Sequence, residues 1–318
     1  MNIKEVNRKL RLPYEGLDIF NAFRGNRNPN SVDTWNGSDS KDNFLNNANE
    51  DKMAYWKDKS IEYKFNNLGF RSDVDFHPKD HGAVFLGCSF TEGVGLPLEY
   101  TWGYHMSKYL DEPFFNLGIG GKGIHAAYRN LVNAHNYGLI FDKVFLFAPP
   151  FYRYEFIMSD NKLFKYYLSE NVQNEAIFTT MHNMMGEYWT PEMQQNGSVE
   201  FLTSFLFGSH QQALVESIRT IFAIDSFAQS VGAKLYFLSH EYYFAKDQHA
   251  RANGIPDSVV PRVPARDGHW SSKMQYMIFN DFLEEYPELK NKEALKEKKT
   301  ETKKTTNTKV SKNDPKLL

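Results

Sequence analysis

Cysteine is almost absent. Cys88 is the single one in 318 residues, so no intrachain disulfide can form, and the usage leans towards a reducing compartment. Long apolar runs are missing as well. No stretch approaches the roughly 20 apolar residues a membrane helix needs, and the opening MNIKEVNRKLRLPYEG holds no apolar run of signal-peptide length. The expectation is a soluble chain, cytoplasmic or otherwise not exported by a cleaved signal, with no membrane partner. An excess of one charge is lacking too. Lys and Arg number 37 against 39 Asp and Glu, a formal net charge of −2, which gives no whole-chain reason to expect nucleic acid as a partner. No internal repeat is visible.

Apolar residues make up 41% of the chain and aromatic residues 15%, enough for a sizeable core in one large α/β domain with additions. Residues 1–60 are polar and rich in Asn, Asp and Lys, and turn chemistry stands at Asn28-Pro29 and Asn36-Gly37. They are expected to form an irregular leader wrapped on the domain. Ile61 to Phe65 is a candidate edge strand. From residue 83 the pattern changes to short apolar runs, Ala83–Gly87, Pro113–Leu117, Lys143–Phe147 and Ala233–Leu238, which suit buried parallel strands. Helical spacing lies between and after them, at Ala126–Tyr137, Gln211–Val231 and Ser271–Tyr286.

Strands alternating with helices predict a three-layer α/β/α domain over residues 61–290 with a central parallel sheet. An aromatic and Met-rich insertion at about 150–205 is too long for a plain loop, and helices of a lid or cap are expected there. Its aromatics suit a cap's own core at least as well as an acyl-binding wall. Residues 291–318 carry lysines without apolar anchors and read as a disordered tail.

Ligands of such sheets bind beyond the carboxyl ends of the strands, so the loops there are searched for chemistry. The first is Gly87-Cys88-Ser89-Phe90-Thr91-Glu92-Gly93-Val94-Gly95. Its serine sits between a strand and a helix start, where backbone N–H groups can face an oxyanion. A serine needs a base to become nucleophilic. His269 is the leading candidate, because Asp267 stands two residues before it and can hold the imidazole tautomer. His240, in the loop after the fourth strand, is the rival base and otherwise a pocket residue. Cys88 as nucleophile is set against by its place beside the strand, where a thiol packs into the core. His105, His125 and His135 fall on helices and read as packing or surface groups. A metal site from His240, His249 and His269 matches no closed ligand spacing, and no metal or cofactor is expected.

The loop after the second strand, Asn116-Leu117-Gly118-Ile119-Gly120-Gly121-Lys122-Gly123, has glycines that permit close approach of backbone donors to a ligand. Together with GCSFTEGVGL and RDGHWS, in this order, it resembles the SGNH/GDSL serine hydrolase family. Cys88 stands where the first family block has Asp, and NLGIGGKG is similar to the second block. The segment Asn66 to Arg71 resembles an N-x-x-G-F-R element ahead of the first block, with Arg71 read as an internal anchor. The resemblance implies a flavodoxin-like fold and a triad of Ser89, Asp267 and His269. It further implies oxyanion donors from the backbone of Ser89 and Gly121, with no cofactor.

Two departures stand out. The third block's G-x-N-D asparagine is missing, because the equivalent stretch reads Phe147-Ala148-Pro149-Pro150-Phe151-Tyr152-Arg153, and Asp-x-His replaces Asp-x-x-His. Asn116, Tyr152, Arg153 and His240 are the candidate substrate contacts. The implied activity is that of an esterase or deacetylase acting on a small or glycan ester such as an acylated carbohydrate. An O-acyltransferase on the same fold and a catalytically weak binding module are the alternatives.

Overall fold

The computed structural model describes residues 23–47, 51–151, 153–157, 163–167, 210–243, 245, 265–267 and 269–291. In chain order the leader gives β1 (Val32–Asp33) and α1 (Lys41–Asn47), and β2 (Tyr63–Lys64) follows. The sheet region then runs β3 (Ala83–Leu86), α2 (Ser89–Glu92), α3 (Trp102–Leu110), β4 (Phe114–Asn116), α4 (Ile124–Tyr137) and β5 (Lys143–Ala148). After it come β6 (Arg153–Ile157), β7 (Leu163–Tyr167), α5 (His210–Ser230), β8 (Lys234–Ser239) and α6 (Ser272–Glu285).

The central sheet is all parallel, in the order β4-β3-β5-β8. Period-2 alternation sorts its side chains to two faces. Val84, Leu86, Phe115, Val144 and Leu146 meet Ile124, Ala127 and Leu131 of α4 and Ile224 and Ala228 of α5. Ala83, Phe85, Phe114, Phe145 and Tyr236 meet Trp102 and Met106 of α3 and Ile278, Phe279 and Phe282 of α6. Phe145 stacks on Phe85 at 5.1 Å and on Tyr236 at 4.9 Å, so three strands share one aromatic row. Apolar runs without alternation were the sequence mark of strands covered on both faces, and the fold is a three-layer α/β/α domain.

The predicted elements hold within a residue or two, with corrections at the periphery. The candidate edge strand Ile61–Phe65 shortens to β2, which pairs antiparallel with β1 of the leader. The described residues of the leader carry regular structure. Besides β1 and α1 they form a 3-10 turn at Asp51–Trp56, and Met53 and Trp56 pack with Ile61, Tyr63, Leu96 and Ala265. The described part of the insertion is an antiparallel hairpin of β6 and β7 where helices were expected. The physical reason is visible in register: Tyr154 stands opposite Tyr166 and Phe156 opposite Phe164, with Glu155 opposite Lys165, a period-2 pattern. The expectations for residues 168–209 and 292–318 lie outside the described residues. Among the described residues no helix is long and apolar enough to cross a membrane.

Candidate active site

The sheet order places β3 and β5 side by side in the interior, with β4 outside β3 and β8 outside β5. The strand order reverses between β3 and β5, so the loops at their carboxyl ends flank the switch point where ligands of such sheets bind.

The loop after β3 turns helical at once. The carbonyl of Cys88 accepts N–H bonds from Thr91 at 3.0 Å and Glu92 at 2.9 Å, and the helix ends at Gly93 after one turn. This sharp entry sends Cys88 into the core on the α3/α6 face, as expected for a thiol beside a strand. Ser89 opens the helix that follows. Its Oγ lies 2.9 Å from Nε2 of His269. Nδ1 of the same ring lies 2.5 Å from Oδ2 of Asp267. A neutral imidazole protonated on Nδ1 donates to the carboxylate and leaves Nε2 to accept the serine proton.

Asp267 is held from several sides. Its Oδ1 accepts the backbone N–H of His269 at 3.1 Å, and its Oδ2 accepts the hydroxyl of Ser38 at 2.7 Å. Burial works to raise its pKa, but the hydrogen bond and charge of His269, with the Ser38 donor, outweigh burial and hold it below the ordinary carboxylate range. Gly95 passes so close that a Cβ there would lie 2.2 Å from Oδ1 of Asp267, and its φ of +81° suits glycine alone.

The loop carrying Asp267 and His269 is pinned by its neighbour Arg266. The guanidinium grips Asp39 with Nε to Oδ1 at 2.8 Å and Nη2 to Oδ2 at 2.6 Å, and Nη2 also donates to the Thr34 carbonyl at 2.6 Å. Trp35 covers it, ring centroid 4.0 Å from Cζ. The hydroxyl of Tyr63 donates to Asp39 at 2.5 Å and accepts the N–H of Gly95 at 2.9 Å. Burial and the Asp39 carboxylate push the Tyr63 phenol up, so it stays a donor. The loop ends at Ser271, whose side chain caps the start of α6 by accepting the N–H of Met274 at 3.3 Å.

The loop after β4 lies against the Ser89 turn. Ile119 donates its N–H to the Gly87 carbonyl at 3.3 Å, and the N–H of Gly120 donates to Oε2 of Glu92. A Cβ on Gly120 would stand 3.8 Å from Cβ of Ser89. Gly121, with φ of +70°, turns the chain just beyond. Asn116 is fully buried, and its Oδ1 accepts the Gly118 N–H at 3.1 Å, which shapes this loop from within. Arg71 behaves as the internal anchor it was read to be, donating to the carbonyls of Glu92 at 3.2 Å, Leu96 at 2.7 Å and Gly93.

His240 is buried, stacked on Trp270 at 4.8 Å and against Phe90 at 4.9 Å. Burial first, then the charges of Arg153 and His269, pushes its pKa down to about 3, so the ring is neutral at ordinary pH. It forms a wall behind His269, while the imidazole that meets Ser89 is that of His269. His105 packs on Tyr276 and Phe279, and His135 on Phe141 and Phe227. Arg153 opens β6, and its carbonyl crowds Gly123 at the end of the β4 loop, which brings it to the same sheet edge. Tyr152 and His249 lie outside the described residues. Among the described residues no three His, Cys, Asp or Glu side chains group to hold a metal ion.

Sequence reasoning missed Asn36, Ser38, Asp39 and Tyr63, all polar groups of or beside the leader. The single usable signal was the Asn36-Gly37 turn.

No family model matches the chain, and neither a curated protein nor a solved structure does.

Proposed function

We propose that the chain is a serine hydrolase of the SGNH/GDSL type that cleaves a carboxylic ester, with acylated carbohydrates among the first substrates to screen. The observation that carries the reading is the unbroken contact chain from Ser89 Oγ to His269 Nε2 at 2.9 Å and from His269 Nδ1 to Asp267 Oδ2 at 2.5 Å. It stands at the switch point of a parallel sheet, where the fold concentrates ligand binding. Ser89 attacks the ester carbonyl as His269 takes its proton. The C–O bond to the alcohol breaks as His269 returns that proton to the leaving oxygen. Water, deprotonated by the same imidazole, then releases the acid from Ser89. Asp267 keeps the imidazole oriented and stabilises its cationic form.

Backbone N–H groups of Ser89 and Gly121 are assigned to the developing oxyanion. The family's asparagine donor is missing after β5, and loss of one such donor lowers turnover about 100- to 1000-fold. Slow turnover is therefore expected, with Arg153 and Tyr152 the residues to test as substitutes. The deciding experiment treats purified protein with a fluorophosphonate and maps the label by peptide mass spectrometry, alongside Ser89→Ala and His269→Ala. Labelling at Ser89 that depends on His269 is the expected result. A folded protein that takes no label sinks the hydrolase reading and favours a binding module.

A further inference from the structure

Glu92 is a buried carboxylate in which both oxygens face donors. Oε1 accepts Nδ2 of Asn36 at 2.8 Å, and Oε2 accepts the backbone N–H of Gly120. The orientation of Asn36 is fixed in turn. Its Oδ1 accepts from Arg27 through Nε at 2.9 Å and Nη2 at 2.5 Å, and arginine has donors alone. One hydrogen-bond chain thus links Arg27, Asn36, Glu92 and Gly120, and donors converge on the Glu92 carboxyl oxygens from both sides. Gly120 runs beside Ser89, since a Cβ built on it would stand 3.8 Å from the Ser89 Cβ.

We propose that Glu92 is a positioning residue of the hydrolase, fixing the Gly120-Gly121 turn against Ser89 so that the loop's backbone donors meet the oxyanion, and that the leader sets this through Asn36. The inference rests on the hydrolase reading above. Glu92 touches neither Ser89 Oγ nor His269 in the hydrogen-bond network, so its effect falls on oxyanion stabilisation and not on the proton relay. Reversal of one member of a largely buried polar network sets a donor against a donor, and the low local dielectric makes that mismatch costly.

The test compares wild type with Glu92→Gln, Asn36→Asp and the pair together, using p-nitrophenyl acetate as the ester and fluorophosphonate titration carried to its endpoint to count active sites. In Glu92→Gln an amide must turn its NH2 on either Gly120 or Asn36, and Asn36 cannot flip while Arg27 holds it. The expected result is turnover per titrated site down about 100-fold, the scale of a misplaced catalytic geometry, with KM and the pH midpoint of turnover unchanged. In the paired variant the carboxylate stands on the leader and accepts from Arg27 and from the new amide, whose oxygen takes the Gly120 N–H. Every donor again has an acceptor, and turnover is expected to recover to near wild type.

If Glu92→Gln fails to fold, the folded pair carries the test by that recovery. Glu92→Gln with a lowered Tm but unchanged turnover per site overturns the inference, as does a folded pair that stays inactive. A shifted pH midpoint also overturns it, since that places the effect on His269. An inert wild type overturns it together with the hydrolase reading, whereas an active wild type matched by all variants overturns it alone.

Discussion

Ser38 and Asp267, 229 positions apart in the chain, meet through a 2.7 Å hydrogen bond from the serine hydroxyl to Oδ2 of the buried carboxylate. The same oxygen receives the Nδ1 proton of His269. A residue of the polar leader thereby touches the group that orients the candidate base.

Ser38→Ala removes one of the donors that hold Asp267 below the ordinary carboxylate range. The depressed native pKa contributes stability that is present above the unfolded value of about 3.9 and is lost as pH falls through the native pKa. Without Ser38 the native pKa rises towards the unfolded one, and that contribution shrinks. The variant should lose stability relative to wild type at neutral pH, and the gap should close in acid below both pKa values. Ser38 is exposed, so water partly replaces it, and about 1 kcal/mol is expected. Urea unfolding at several pH values checks this, and a gap that grows in acid contradicts it.

Arg266 and Asp39 form an ion pair with side chains 3% and 0% exposed. Arg266→Ala leaves the Asp39 carboxylate buried without its partner, at a cost of about 3–5 kcal/mol. Because Arg266 adjoins Asp267, ester turnover should fall along with stability. Equilibrium denaturation and turnover measured on the same sample would show both, and a loss under 1 kcal/mol would speak against a buried pair.

Gly95→Ala forces a methyl group into the space held by Oδ1 of Asp267, at a backbone φ that disfavours it. Displacing the carboxylate by an ångström is expected to lower kcat about 100-fold. The far-UV circular dichroism should stay near that of wild type, because the change is confined to one loop contact. Fluorophosphonate labelling kinetics give the readout.

His240 stays neutral because its pKa lies at about 3. His240→Gln should lower activity by disturbing the stack on Trp270, yet leave the midpoint of the pH–rate profile in place. A midpoint displaced by a full pH unit in this variant would reassign the base.

The sheet was legible because strands buried on both faces are uninterrupted apolar runs, and Val84, Phe85, Phe145 and Leu146 could be placed without knowing their partners. Ser89, Asp267 and His269 were legible as residue types in loops after strands. Asn116 was legible as the opening of a glycine-rich loop at the right edge, but its hydrogen bond to Gly118 leaves no trace in spacing. The β6/β7 hairpin was missed because an aromatic-rich insertion was weighed by composition, although its alternation was there to be read.

The sequence by itself determined the layers of this protein, since burial follows from local runs and periods of apolar side chains. It also supplied Ser89, Asp267 and His269, the candidate triad, as neighbours of glycine in sheet-edge loops. Tertiary structure alone decided what holds them. Asn36 reaches Glu92 across 56 positions, and Arg266 reaches Asp39 across 227. Hydrogen bonds and ion pairs of that span depend on distance and direction in space, for which the linear pattern of polar residues carries no period.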